Sequence, residues 1–456
     1  MQCTTRQAGC VSNNVLVGES NQLFLFEGNY NQFSYLSNQE SVSESSKTNF
    51  LDNLRQRRRF AEERNLQYLH IIIPCKPLVM RDKTPEPYRQ NIRSLFLHSY
   101  APLFTNRDPL QERTLYPLAS LIREQTQRDC YWANDTHINA AGQLCIYREI
   151  GEHIPDLSTT FPLLRIAEEP RQGDLGIMLG HSAPLPSLCF PWTGELLNYS
   201  NTSALPGNTG DIVITHNPLS RTQRRLVLFG DSFIKTMLHL FAHDFRTILY
   251  IRGPYFQPDM IELFAPDVLI TSETERYLAG VDHDNNGPSL LFESFRERSD
   301  YKPGQDFQSA LSAQLSYRSH PRITQDWEAE QTSLHSFNIK GIGEAIHNRD
   351  AQQRDKSGHN LEAVGPVPVI HIHKLHHQPQ GDLMIELDAE IESQLKLTVL
   401  RNCTDMSAPL EIHQHPVRSG LQQIILPIDH SQPIDGLLLQ PLHHPGRFTL
   451  QKIEWL

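Results

Sequence analysis

The sequence predicts an α/β protein, a parallel sheet with helices on both faces, followed by a C-terminal all-β sandwich or jelly roll. Three observations carry that prediction. From Leu226 the apolar pattern alternates between short β-like runs and helical stretches, as a parallel sheet with crossover helices requires. From Pro366 onward short runs alternate at period two between Pro, Gly and Asp turns, the pattern of a sandwich. The chain has 456 residues, room for roughly two to three domains of about 150 residues.

Taken in order, residues 1–20 are polar and are expected to fray. Leu23-Phe24-Leu25-Phe26 reads as a first short strand. A helix is expected from about Thr48 to Asn65. It would bury Phe50, Leu54 and Ala61 and leave Arg55-Gln56-Arg57-Arg58-Arg59 on a solvated face. Tyr68-Leu69-His70-Ile71-Ile72-Ile73 is a mostly apolar run typical of a strand buried on both faces, and Pro74 ends it. Leu115 to Gln125 is helical in pattern, Asp135–His137 falls on an extended loop, and Ala140 to Ile150 is helical again. Asp156 to Thr222 is rich in Pro, Gly, Ser and Asn, with only Ile212-Val213-Ile214 strand-like, and reads as a functional loop or lid.

Strand 226–229, helix 233–243, strand Thr247–Arg252, helix 258–264, strand Asp267–Ser272 and helix 273–280 follow. The first domain is therefore expected over residues 21–300. Residues 301–360 are polar and read as a linking, irregular extension. Val369–His373, Leu383–Leu387, Leu395–Leu400, Leu421–Ile428, Leu437–Leu439 and Phe448–Leu456 supply the strands of a final domain over 361–456.

Composition excludes several classes. With 41 basic against 52 acidic residues the formal charge is −11, which argues against nucleic acid as a partner. No apolar run approaches the roughly 20 residues needed to cross a bilayer. The N-terminus has no hydrophobic stretch of the secretory kind. The expectation is a cytoplasmic protein as the sequence stands, or a periplasmic one if the true start lies elsewhere. Seven cysteines, without CxxC spacing, read as reduced core thiols rather than a disulfide framework or zinc site.

The residues that carry chemistry are Ser232, His137 and Asp135. Gly230-Asp231-Ser232-Phe233 lies directly between the 226–229 strand and the following helix, where a tight turn lifts a serine hydroxyl above the sheet edge. A serine becomes a nucleophile only with a base in reach and a group that orients the base. Asn134-Asp135-Thr136-His137 supplies both, because two residues apart on an extended segment point to the same side. An oxyanion needs donors already in place. The Ser232 backbone N–H is the first candidate, and Arg252-Gly253, at the end of the next parallel strand, the second. Arg276 and Tyr277 open onto the same crevice after the third strand; alternatively Arg276 pairs with Glu273 or Glu275 and Tyr277 covers the core. No metal or cofactor is expected.

These motifs resemble the SGNH/GDSL hydrolase superfamily, and their order, Asp-Thr-His before the serine, is similar to its alginate O-acetyltransferase group. Asn21-Gln22-Leu23-Phe24-Leu25-Phe26 resembles that group's early strand, and Ile71-Ile72-Ile73-Pro74-Cys75-Lys76 its "vvPxK" turn. Asn134 to Gly142 resembles its "DTHWN…G" segment, and Pro266-Asp267-Val268-Leu269-Ile270 with Glu275-Arg276-Tyr277-Leu278 its "PDvvi…ERyL" segment. Ile138 stands where the group has tryptophan. The resemblance covers roughly residues 20–280. It implies Ser232 as acyl-accepting nucleophile, His137 as general base and Asp135 as its orienter. It also implies an acetyl donor, a polysaccharide or oligosaccharide acceptor and a membrane-bound acetyl-donor protein as candidate partners. Leu361 to Ile370 and Ile434 to Leu450 resemble small jelly-roll modules attached to bacterial polysaccharide-synthesis enzymes, which implies carbohydrate binding.

Sequence leaves three readings open: an O-acetyltransferase, a carbohydrate esterase using the same residues with water as acceptor, and a non-catalytic polysaccharide-binding scaffold. Two metal-like patterns stand outside the site. Asp282-His283-Asp284-Asn285-Asn286-Gly287 with Glu293 satisfies an EF-hand expression, but Pro288 is rigid where the chain must wrap an ion. His371, His373, His376, His377, His443 and His444 lack acidic or thiol partners at ligand spacing.

Overall fold

Strands apolar on both faces can only be satisfied by cover on both sides, and the central sheet is built from such strands. The computed structural model describes residues 7–456 apart from 87, 106–107, 158–165, 181–182, 191–196, 206, 208–209, 291–300, 340–341, 349, 355–359, 366, 376–379 and 402–409. Seven strands form the sheet: β1 (Gln67–Ile73), β2 (Thr114–Leu115), β3 (Leu197–Ser200), β4 (Ile212–His216), β5 (Arg225–Phe229), β6 (Thr247–Ile251) and β7 (Val268–Thr274). Their order is β2-β1-β7-β5-β6-β4-β3. Strands β2, β1, β7, β5 and β6 run parallel, and β4 and β3 complete the edge antiparallel.

Side-chain alternation divides the sheet between two cores. Leu226, Leu228, Ile248, Tyr250, Val268 and Ile270 face one; Val227, Phe229, Leu249, Ile251 and Leu269 face the other. The long helix α1 (Glu44–Glu63) begins at a Ser43 cap whose side chain accepts from the Ser46 N–H. Helices α2 (Ala140–His153), α3 (Ser232–Lys235) and α4 (Leu238–Asp244) give Leu144, Tyr147, Phe233 and Phe241 to the first core. Helices α5 (Pro258–Phe264), α6 (Gln305–Leu315) and α7 (Pro321–His335) give Met260, Phe264, Phe307, Ala310 and Trp327 to the second. Helices therefore cover both faces.

Several segments differ from the sequence reading, each for a physical reason. The expected helix 233–243 is two helices: the Thr236 hydroxyl donates back to the Phe233 carbonyl at 2.7 Å, competing with the ladder. β7 runs on to Thr274, and a single 3₁₀ turn, Glu275–Ala279, replaces the expected helix 273–280. The stretch 156–222 is not one loop. It returns to the sheet as β3 and β4 and holds a hairpin, Ala167–Arg171 with Leu185–Cys189. Residues 11–17 do not fray: Val15–Val17 pairs with Val11–Ser12 on one side and with Leu23–Leu25 on the other, burying Val15, Leu16 and Val17. Cys10 is disulfide-bonded, which corrects the reading of every cysteine as reduced; Cys75, Cys130, Cys145 and Cys189 are free thiols.

The C-terminal region is a pair of antiparallel sheets, six-stranded and five-stranded. Ile370, Ile372, Leu397, Val399, Leu437 and Leu439 of the first share a core with Ile385, Leu387, Leu450 and Ile453 of the second. Residues 301–360, read as an extension, hold α6, α7 and the strands Ser336–Ile339, Gly343–His347 and Ala351–Gln353. The first two of those strands join the six-stranded sheet and the third the five-stranded one.

The basic cluster of α1 is not uniformly solvated. Arg57 is buried, and its Nε and Nη2 donate to the two Asp284 oxygens at 2.7 Å each. This pair also takes one carboxylate of the EF-hand-like string; Glu293 lies outside the described residues. Removing one partner of a buried pair leaves an uncompensated charge. Arg57→Ala is therefore expected to destabilise the protein by roughly 3–5 kcal/mol, and Arg58→Ala, on the solvated face, by less than about 1 kcal/mol. Denaturant unfolding of the two variants distinguishes them; equal small shifts would contradict the burial.

Candidate active site

β5 is buried along its length and delivers the chain to Gly230. A Cβ there would lie 2.6 Å from the Ile234 Cγ2 and 2.9 Å from the Ser272 carbonyl, so only glycine lets the chain turn this close to β7. Asp231 caps α3, its Oδ1 accepting from the Phe233 N–H at 2.9 Å. Its Oδ2 accepts from the Thr274 N–H at 2.8 Å and hydroxyl at 2.5 Å. The Tyr250 hydroxyl lies 3.1 and 3.0 Å from the Gly230 and Asp231 carbonyls. The turn is thus tied to both neighbouring strands, and Ser232 stands half-buried at its tip.

The other half of the site comes from the loop before α2. Asn139 caps that helix, accepting from the Ala141 and Gly142 N–H groups at 3.0 and 3.1 Å. Tyr131 and Ile138 form an isolated antiparallel bridge across the loop. Ile138 is fully buried in the first core, so at that position the chain offers a packing residue and no surface ring. Between these anchors, the Asp135 Oδ1 accepts from His137 Nδ1 at 2.7 Å and from its backbone N–H at 2.9 Å. His137 Nε2 lies 2.8 Å from Ser232 Oγ. With Nδ1 donating to a carboxylate, Nε2 is the acceptor for the serine hydroxyl. The Phe233 ring packs 4.6 Å from the imidazole, yet the His137 side chain keeps 17% exposure, enough for a small group to reach it.

Burial alone would raise the Asp135 carboxyl. The hydrogen bonds and charge of His137, with the Asp174 N–H at 3.3 Å, outweigh it and hold the group at about 2. Asp174 was not anticipated. Its carboxylate accepts from the Thr136 N–H at 2.8 Å and hydroxyl at 2.6 Å, and lies 3.7 Å from His137 Nδ1. Gly173 makes this possible, since a Cβ there would meet the Asn134 carbonyl at 2.1 Å. Asp135, His137 and Asp174 could each turn one ligand atom to a common point, but these atoms are already engaged with one another and with Thr136.

The predicted substrate-binding residues divide. Arg252, Gly253 and Tyr277 line a cleft of about 510 Å³ at the carboxyl ends of β5, β6 and β7, and Gly230 and Asp231 line it too. A Cβ on Gly253 would meet nothing within 4 Å, so the backbone there faces open space. Arg276 is not part of that lining. It borders a small recess with Phe233, Thr136 and Lys76, its guanidinium 5.1 Å from the Phe233 ring, and donates to the Tyr277 hydroxyl at 3.3 Å. Neither expected glutamate pairs with it: Glu275 binds Ser94 and Tyr116, and Glu273 approaches His70.

No protein-family model matches this chain, and no curated protein matches it. Solved structures similar to it include the O-acetyltransferase domain of Pseudomonas putida AlgJ, 15% identical over 61% of this chain and 97% of that one, with a TM-score of 0.37. Pseudomonas aeruginosa AlgX is 11% identical over 96% of this chain and 94% of its own, with a TM-score of 0.36. Bacillus cereus PatB1 with a sulfonyl adduct is 13% identical over 58% and 96%, with a TM-score of 0.40. At those identities and scores none of them decides what this chain does; its own site has to.

A carboxylate held at about 2 stabilises the fold fully above about pH 4, where the unfolded chain's aspartates are ionised as well. That contribution is lost as pH falls through 2. Asp135→Asn is expected to cost about 2 kcal/mol at neutral pH, and its deficit against wild type should shrink to under half by about pH 2.5. Denaturant unfolding across that range checks it, and a deficit independent of pH would contradict the assignment.

Proposed function

We propose that the chain is a serine O-acyltransferase of the SGNH type that moves an acetyl group onto a hydroxyl of a polysaccharide or oligosaccharide. The observation that carries this reading is the continuous relay Asp135–His137–Ser232, 2.7 and 2.8 Å per link, whose serine directly follows Gly230 and Asp231 of the cleft lining. In the proposed reaction Ser232 Oγ attacks the donor's acetyl carbon while its proton passes to His137 Nε2. The donor's C–O bond breaks, and the leaving oxygen takes that proton. A sugar hydroxyl then attacks the acetyl-serine, gives its proton to His137, and His137 returns it to Ser232 as the ester bond breaks. Asp135, ionised throughout, holds the ring and stabilises the imidazolium formed in each half.

The acceptor is assigned to the 510 Å³ cleft, a size ordinary for ligand sites. Tyr30 and Tyr277, in edge contact with ring centres 4.7 Å apart, and Tyr255 offer amphipathic aromatic surface there. Asn53, His70 and Arg252 add polar groups. The backbone N–H groups of Ser232 and Gly253 are the proposed oxyanion donors. The motif resemblance supports acetyl as the group transferred.

The test is turnover of p-nitrophenyl acetate with and without an oligosaccharide acceptor, beside Ser232→Ala. Acetylated sugar from wild type, and a loss on the order of 10³-fold or more in Ser232→Ala, is the expected result. Free acetate alone would make the protein a carbohydrate esterase. Equal background rates from both proteins would leave a binding scaffold.

A further inference from the structure

Lys76 is where three separate segments meet. β1 ends at Ile73, Pro74 and Cys75 turn the chain, and Lys76 opens a four-residue helix, Lys76–Val79. The residue is 4% exposed. Its ammonium lies 2.6 Å from the Trp132 carbonyl, 2.7 Å from that of Leu23, and 3.1 Å from those of Ala133 and Asp135. Three N–H donors therefore face four oxygens, all of them backbone. The Phe24 ring closes another side, 5.3 Å from the nitrogen.

Three of those carbonyls belong to residues 132–135, the run that leads into His137. The fourth, on Leu23, belongs to a residue whose own N–H donates to the Ala133 carbonyl at 2.8 Å. A buried cation is tolerated only where polar groups replace its water. Here the loop solvates the ammonium and the ammonium fixes the loop, so each depends on the other. We propose that Lys76 is a positioning residue for the Asp135–His137 pair: its charge pins the 132–135 carbonyls and thereby sets where the imidazole stands against Ser232. This rests on the acyl-transfer reading of that site.

The role requires the protonated form. A neutral amine would turn a lone pair toward one of the carbonyls. Burial pulls the ammonium down from the ordinary lysine range to about 7, while Asp135 and Asp129 of the loop it binds and Asp174, at the start of the helix Asp174–Met178, act in the opposite direction. The pinned loop is thus the low-pH form, and it loosens as pH rises through the Lys76 value.

The experiment measures kcat and KM for p-nitrophenyl acetate across the neutral and alkaline range. Wild type, Lys76→Met and Lys76→Arg are compared, with the Ser232→Ala rate subtracted. Wild type should lose kcat on the alkaline side. Lys76→Met should lose about 10²-fold in kcat, as a misplaced base does, with KM within about threefold. Lys76→Arg, which stays charged, should recover part of the rate and lack the alkaline fall. A wild-type profile flat to high pH, an alkaline fall unchanged in Lys76→Arg, or kcat within about threefold in a folded Lys76→Met each overturns the proposal. Should Lys76→Met not fold, the other two profiles decide. Wild type no faster than Ser232→Ala overturns the acyl-transfer reading itself, and this inference with it.

Discussion

One imidazole has to touch two partners at once, and the surrounding structure is arranged around that demand. His137 meets Asp135 at 2.7 Å and Ser232 at 2.8 Å, although the serine follows it by 95 residues. An error of about an ångström at such a junction is worth orders of magnitude in rate. Each side is accordingly over-determined. On the serine side, Gly230 permits the turn while Asp231 reaches across to Thr274. On the histidine side, the Asn139 cap, the Tyr131–Ile138 bridge, Asp174 and the Lys76 ammonium converge on the loop between Tyr131 and Asn139.

Parallel strand order explains why these parts meet. The carboxyl ends of β1, β5, β6 and β7 lie along one edge of the sheet, and open α/β sheets present their sites at that edge. Lys76 follows β1, Ser232 follows β5, Arg252 and Gly253 follow β6, and Thr274 ends β7. A register slip of one residue would turn every buried side chain of these strands to the opposite core. The two separate cores, with Leu226 and Leu228 on one side and Val227 and Phe229 on the other, are what forbid it.

What the sequence disclosed follows from which forces are local. Strands buried on both faces write continuous apolar runs, so β1, β5, β6 and β7 were legible to within about two residues. So was α5, with Pro258 at its start. Asp135, His137 and Ser232 were legible because each pair sits on a short, recognisable turn or spacing. The apolar run Ile212-Val213-Ile214 marked β4, but edge strand β3 was hidden in a polar stretch, since its place is set by antiparallel pairing with β4 and not by an apolar run of its own. Arg57 reads like Arg58, and only the tertiary approach of Asp284 buries one of them. Asp174 meets Thr136 across 38 residues, which leaves no residue pattern to find; Lys76 stands in a recognisable turn motif, but its partners are backbone carbonyls of a distant loop that no residue type marks. Arg252 and Arg276 were both read toward the same crevice, Arg276 with a glutamate pairing as its alternative, yet of the two only Arg252 lines the cleft.

The most direct test of the central claim is covalent labelling with a sulfonyl fluoride, which needs an activated serine hydroxyl but neither the natural donor nor the acceptor. After brief exposure, the modified peptide is identified by mass spectrometry in wild type and in His137→Ala. The account predicts a sulfonyl ester on Ser232 in wild type, formed far more slowly in the variant. Labelling of Ser232 at equal rates in both proteins, or label on another side chain with Ser232 untouched, would contradict it.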